Sequence, residues 1–419
     1  MLIEFRVSNF RSLRDEQVLS LITTKDTTLK DNNTMPSGIK TAPSLLRSAV
    51  MYGPNAGGKS NLIKALQYMR AIVIESAGMK PEQTFNVQPF RLDAVSNTSP
   101  TEFEIIFILE GIRYQYGFAL TSQRVASEYL LVYKNPKPQQ WFRRHYNPET
   151  HKDDYEFGAG LKGQKIIWEE STRSNALFLS MAVQLNSEQL RPVFNWFVNK
   201  LIIFNELTPL GPQFSIERLQ NSEGKLAICK FLTSADISIA DISINTRRIS
   251  GPSVHFDLAA GKTELRTDDQ EVNELLFHHV TEKGKAVFNL NDESMGTRNL
   301  LFLAGPILDI LEKGMTLIID ELDNSLHSLL VRRLIELFQN QQSNPKGAQL
   351  IFSTHDVSLL DTELFRRDQI WFIEKDNEQA SKLYPLSDFS PRKNEALQRG
   401  YLIGRYGALP FFDLLQSKD

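Results

Sequence analysis

Gly53-Pro54-Asn55-Ala56-Gly57-Gly58-Lys59-Ser60 fills every fixed position of the pattern G-x-x-x-x-G-K-[ST]. The apolar run Ala49-Val50-Met51-Tyr52 leads into it. Asn61-Leu62-Ile63-Lys64-Ala65-Leu66 follows with helix-forming residues at helical spacing, so strand, loop and helix stand in order. The chemistry accounts for the residue types. Glycines let backbone N–H groups turn inward on a triphosphate, the helix offers its positive N-terminal end to the same charge, Lys59 reaches the β- and γ-phosphates, and the Ser60 hydroxyl suits Mg²⁺. An accidental match is an event on the order of one per cent in a chain of this length. Gly53, Asn55, Gly57, Gly58, Lys59, Ser60 and, at the helix start, Asn61 are therefore assigned to the nucleotide.

Around this stretch, 419 residues leave room for two to three domains, or for one nucleotide-binding domain with an insertion. Lys and Arg number 47 against 50 Asp and Glu, for a net charge of -3, which is not the basic footprint of a sequence-independent nucleic-acid binder. The single cysteine, Cys229, excludes an internal disulfide and a zinc ribbon and points to a reducing compartment. With no signal-peptide core at the N-terminus and no apolar run near the roughly 20 residues needed to cross a bilayer, a soluble cytoplasmic protein without membrane contact is expected.

Taken in order, residues 1–23 read as a β-hairpin and 24–44 as a loop. A helix is expected from the phosphate loop to about Ser76. Phe103–Leu109, Tyr114–Leu120 and Tyr129–Tyr133 form an expected antiparallel meander, with a fourth strand near Trp141-Phe142-Arg143. Asn175 to Phe204 reads as helical, whereas 205–290 is mixed, and no heptad pattern supports a coiled-coil arm. Then come a helix from Asn299 to Leu311, a buried parallel strand Met315–Ile319 ending at Asp320-Glu321, a helix from Leu326 to Gln339, the strand Gln349–Phe352 ending at Ser353-Thr354-His355-Asp356, and a last strand Gln369–Ile373 before a polar tail.

Strands that end in functional residues fit an open, mostly parallel sheet with its ligand beyond the carboxyl ends. Asp320 is suited to hold Mg²⁺ with Ser60, and Glu321 to accept hydrogen bonds from an attacking water. His355 is read as a sensor of the γ-phosphate, although a lone histidine in a turn is more often structural. The neighbouring His278 and His279 lack metal-ligand spacing and are read as structural. Ser294-Met295-Gly296-Thr297 at a helix start is either a plain N-cap or a second phosphate binder, and its place 26 residues before Asp320 favours the second.

This order of parts resembles the ABC and SMC-like branch of P-loop ATPases. More narrowly, Phe10-Arg11-Ser12-Leu13, Gly53 to Ser60, Glu293 to Arg298, Ile319 to His327, Ser353 to Asp356, Arg367 to Phe372 and Gly404 to Pro410 resemble RloA-type ATPases of bacterial abortive-infection and phage-defence systems, distant relatives of OLD-family nucleases. The resemblance implies an α/β P-loop NTPase fold with a mixed sheet, an antiparallel β lobe and a mainly helical insertion. It implies an N-terminal half over 1–204, an insertion of uncertain fold over 205–290 that is a candidate for partner contact, and a C-terminal half over 291–419. It further implies a composite site in a homodimer or higher homo-oligomer, where Ser294 and Gly296 of one subunit close over ATP and Mg²⁺ held by another. Asp323 and His327 match the segment that touches the opposite site, Arg11 matches an arginine near the nucleotide, and Gln88 is the candidate glutamine linking the metal to the lobe. The signature lacks the Leu-Ser-Gly-Gly-Gln of transporters, and its acidic Asp292 and Glu293 are expected to moderate turnover.

Three functions fit these residues. One is a slow, dimerisation-dependent ATPase that senses infection or restrains a separate nuclease or toxin effector; the OLD relatives carry a nuclease domain for which the roughly 60 residues after His355 leave no room. Another is a RecF or SMC-like DNA-associated ATPase, for which only local patches such as Lys134 to Lys137 and Arg143-Arg144-His145 speak, and these read more readily as solvated loop charge than as phosphate contacts. The third is an ATP-binding scaffold that hardly hydrolyses.

Overall fold

The computed structural model describes residues 1–134, 137–204, 211–234, 237, 239–257, 262–324, 326–389 and 395–409, with backbone alone for those between 248 and 272. The chain divides into two compact units. The first comprises Met1–Glu206, Ile310–Asn324 and Leu334–Asp419, the second Leu207–Asp309 and Ser325–Arg333.

In the first unit, β1 (Leu2–Ser8) and β2 (Gln17–Ser20) form the expected antiparallel hairpin. The stretch read as a loop over 24–44 is partly ordered instead. It holds α1 (Lys30–Asn33), β3 (Thr34–Ile39) and the first residues of β4 (Ala42–Leu46), and the two strands pair antiparallel. The alternation was hidden in sequence because the register shifts between Pro36 and Ile39, while Met35, Ala42 and Leu45 bury against Ile3, Ile106 and Ile108.

The fully buried β5 (Ser48–Tyr52) precedes the phosphate loop, and α2 (Lys59–Glu75) follows it. Leu62, Ile63, Leu66, Met69 and Val73 recur at helical spacing along α2 and join one core with residues of both large sheets of this unit. A short α3 (Ala94–Thr98), capped by the Asp93 carboxylate, leads into the meander. β6 (Thr101–Leu109), β7 (Ile112–Leu120), β8 (Val125–Tyr133), β9 (Gln139–Asn147) and β10 (Lys152–Phe157) complete a seven-stranded antiparallel lobe of order β10-β9-β8-β7-β6-β1-β2. The expected fourth strand is β9.

The basic run on β9 is not a surface patch. Strand alternation turns Arg143 outward and Arg144 inward, where Arg144 is 1% exposed, meets the Asp153 carboxylate at 2.8 Å and lies 4.0 Å from that of Glu128. His145 sits 3.4 Å from Asp154. Of the other run, Asn135 and Pro136 lie outside the described residues.

α4 (Lys165–Ser171), α5 (Phe178–Gln184) and α6 (Arg191–Asn199) supply the helical region, and the Trp196 ring of α6 stacks on Phe107 at 4.1 Å. The helical reading to Phe204 ends early. Leu201–Phe204 is β11, an edge strand parallel to the strand that ends at Ile319, because a β-branched apolar run with a buried partner is more stable extended.

The second unit begins with α7 (Gln213–Leu219) and α8 (Ser222–Ser234). The insertion is helical in this first part only, since β12 (Asp241–Asp257), β13 (Lys262–Thr281) and β14 (Gly284–Asn289) form an antiparallel three-stranded sheet. α9 (Met295–Lys313) starts at the signature segment.

The remaining elements are β15 (Thr316–Ile319), α10 (Ser328–Gln339), β16 (Gln349–Ser353), β17 (Ile370–Lys375), β18 (Ser381–Pro385) and α11 (Leu397–Leu402). The expected polar tail thus contains a strand and a helix. Six strands assemble in the order β11-β15-β16-β5-β17-β18, parallel except for β18. No helix among the described residues is long and apolar enough to cross a membrane.

Candidate nucleotide site

Strand order assembles the site. β16 pairs with β15 on one side and β5 on the other, so the loops leaving β5, β15 and β16 emerge side by side at their carboxyl ends. These are Gly53–Ser60, Asp320–Asn324 and Thr354–Asp356.

The phosphate loop is braced from behind by β17 and β18. A Cβ on Gly53 would lie 2.1 Å from the Ile373 carbonyl oxygen, and Gly58 combines a φ of +126° with 2.4 Å to the Ser381 hydroxyl, so neither position admits a side chain. Ser381 donates to the Gly57 carbonyl at 2.7 Å and its hydroxyl lies 2.7 Å from that of Ser12, which accepts from Asn61 Nδ2 at 2.7 Å. Asn61 is thereby tied to the turn between β1 and β2. Asn55 is exposed at the crest of the loop and Ser60 half-buried in the first turn of α2. Lys59 is buried, with Nζ donating to the carbonyls of Gly53 at 2.8 Å and Pro54 at 3.2 Å. Burial lowers its pKa, and the charges of Asp320, Glu321 and Asp323 oppose that shift.

Asp320 and Glu321 are held from β16. The Ser353 hydroxyl donates to Asp320 Oδ1 and accepts the Glu321 N–H at 2.8 Å, while the Ser353 carbonyl takes the Leu322 N–H at 3.0 Å. Glu321 has a φ of 52°, a left-handed conformation that a non-glycine residue keeps only when its surroundings enforce it. His355 Nε2 lies 3.9 Å from Glu321 Oε1, and the His355 N–H points to the Asp323 carboxylate at 3.2 Å.

Arg11 lies in the β1–β2 turn with a φ of 53°. Its N–H donates to the Gln88 carbonyl at 2.7 Å, and its buried Nε has no hydrogen-bond partner among the described residues. Gln88 is brought to that turn by its backbone.

Ser294, Gly296 and His327 belong to the second unit. Ser294 caps α9, accepting the Thr297 N–H at 3.1 Å. Among the described residues a Cβ on Gly296 would meet only the Ser294 hydroxyl, at 3.8 Å, so these surroundings do not require a glycine. Glu293 is turned to His279 at 2.6 Å, and His278 to the Ser243 hydroxyl at 2.8 Å. His327 precedes α10 and accepts the Leu329 N–H through Nδ1 at 3.2 Å.

Residues 48–361, which hold the phosphate loop, the acidic end of β15 and His355, match the family described as "AAA domain, putative AbiEii toxin, Type IV TA system". This chain belongs to that family. Its architecture is the mixed α/β fold of P-loop ATPases. No curated protein matches the chain. Among solved structures it is similar to the SMC head domain from Thermotoga maritima, at 14% identity over 92% of this chain and 98% of that one with a TM-score of 0.43. It is also similar to an SMC head bound to the C-winged helix domain of ScpA, at 15% identity over 92% and 97% with a TM-score of 0.40.

Ser12, Ser353 and Ser381 were not singled out from sequence. Ser353 had one legible signal, its place at a strand end two residues before His355, but its partners follow from the register that sets Ile319 opposite Phe352.

Proposed function

We propose that the chain hydrolyses ATP as an ABC and SMC-like ATPase and serves as the sensor or regulatory part of a bacterial phage-defence system of RloA type, controlling a separate effector. The convergence of Gly53–Ser60, Asp320-Glu321 and His355 on one rim carries the reading. Gly53–Ser60 binds the phosphates, Arg11 lies near the nucleotide, and Lys59 exchanges its two carbonyl partners for phosphate oxygens. Ser60 and Asp320 offer the hard oxygens that would hold magnesium, with Gln88 as a further candidate, and the bound ion would supply positive charge to the phosphates. Glu321 orients the attacking water, and His355 reads the γ-phosphate.

The site is completed by a second copy, whose Ser294, Gly296, Asp323 and His327 approach the nucleotide. A glycine that the described residues around it do not require, beside Met295 at 67% exposure, supports close approach by another molecule. The family's description, which names a toxin and a toxin–antitoxin system, supports a defence setting. The reading assigns the protein to the cytoplasm.

Molecular mass measured with and without ATP and Mg²⁺ tests it, using Glu321→Gln to hold the nucleotide and Lys59→Ala as control. Association that needs both ATP and Lys59 sustains the composite site. A fixed mass under all conditions removes it and leaves an ATP-binding scaffold as the better description.

A further inference from the structure

The run Gly404-Arg405-Tyr406-Gly407-Ala408-Leu409-Pro410 takes no part in the site built above. Its described part is docked, with Tyr406 and Ala408 buried alongside Tyr401 of α11. Glu374 of β17 accepts the Ala408 N–H at 2.6 Å and the Tyr384 hydroxyl at 2.9 Å, and Tyr401 donates to the Ala408 carbonyl at 2.8 Å. The Tyr401 and Tyr406 rings both stack on Phe372, with centroids at 5.5 and 5.8 Å and interplanar angles of 15° and 19°.

The packing continues to the nucleotide rim. Tyr401 also meets the ring of Tyr52 at 5.9 Å, and Tyr52 immediately precedes Gly53. The Tyr52 hydroxyl donates to the Asp356 carbonyl at 3.3 Å, one residue beyond His355. Burial raises the Tyr52 pKa well above the usual phenol value, so this donor keeps its proton. A ring filling the core needs no hydroxyl there; this one bridges the end of β5 to the histidine loop.

We propose that residues Glu395–Leu409 are a clamp on the nucleotide site, acting through Tyr401 and Tyr52 to hold the His355 loop against the end of β5. The proposal rests on reading that rim as an ATP site. Tyr52 and Tyr401 are positioning residues. The phosphate loop binds the triphosphate without them, so releasing the clamp lowers turnover more than affinity.

The test uses the full-length chain with Tyr401→Ala, Tyr401→Phe and Tyr52→Phe, and follows ATP affinity, kcat and amide hydrogen exchange over residues 354–357. Tyr401→Ala should lower kcat by about 10- to 100-fold, leave affinity within a few fold, and speed exchange at 354–357. Tyr401→Phe keeps the ring and should stay near wild type, while Tyr52→Phe should lower kcat with the tail still protected. A Tyr401→Ala protein whose tail amides exchange freely while kcat and 354–357 stay as in wild type overturns the clamp. If that variant does not fold, unchanged kcat and exchange in Tyr52→Phe overturn it. If the wild-type chain does not hydrolyse ATP, the ATPase reading falls separately, and exchange at 354–357 alone judges the clamp: faster in Tyr401→Ala sustains it, unchanged overturns it.

Discussion

Ser353 serves two acids with one hydroxyl. By donating to Asp320 and accepting from the Glu321 N–H, it orients the candidate magnesium carboxylate and holds the next residue in its left-handed conformation. Ser353→Ala removes both contacts and a single oxygen atom. Supporting hydrogen bonds of this kind are worth about 10- to 100-fold in metal affinity or activity, so ATPase activity should fall by that factor and more Mg²⁺ should be needed for half-maximal rate. ATP binding should persist, and Ser353→Thr should recover most of the loss. At this scale the residue types of the phosphate loop were legible, because close backbone approach and phosphate charge act locally. The bracing from Ile373, Ser381 and Ser12 was not, since those residues lie on segments far away in sequence.

Among the elements, the β lobe and the helices behind it are joined at Glu128 of β8. This carboxylate is fully buried, accepts the Phe178 and Leu179 N–H groups at the start of α5 at 2.6 and 3.0 Å, takes the Tyr116 hydroxyl at 2.9 Å, and lies 4.0 Å from Arg144. Glu128→Ala would remove one of the two carboxylates that face Arg144, the other being Asp153, and strip the first amides of α5. Breaking a buried pair at one partner costs about 3 to 5 kcal/mol, and urea denaturation should show a loss of that order. Strands with alternating or continuous apolar residues were readable as strands. β3 and β4 are short and their register shifts, which hides their alternation; the apolar run of β11 continues a helical pattern and only its pairing with β15 makes it a strand; and the basic run on β9 is not solvated loop charge because alternation sends Arg144 into the core.

At the scale of the whole molecule, a composite site makes a complementation prediction. Lys59→Ala lacks a working phosphate loop but retains Ser294. Ser294→Arg, at an exposed helix start, retains the loop but cannot close over a partner's nucleotide. Neither protein should hydrolyse ATP alone. Mixed, they can form dimers with one intact site, and part of the activity should return. Continued silence in a mixture shown by mass to contain mixed dimers would remove the trans role of Ser294.

By itself the sequence determined the local chemistry: the phosphate loop between strand and helix, the acids and the histidine that end strands, and the antiparallel meander. Each depends on residue types within a few positions, where backbone geometry and charge are set. Tertiary structure alone decided the order β11-β15-β16-β5-β17, the placement of Ser353 against Asp320 and Glu321, and the docking of Tyr401 beside Tyr52. These depend on which buried strands pair and in what register, and near-continuous apolar runs are interchangeable in sequence until the whole core is packed.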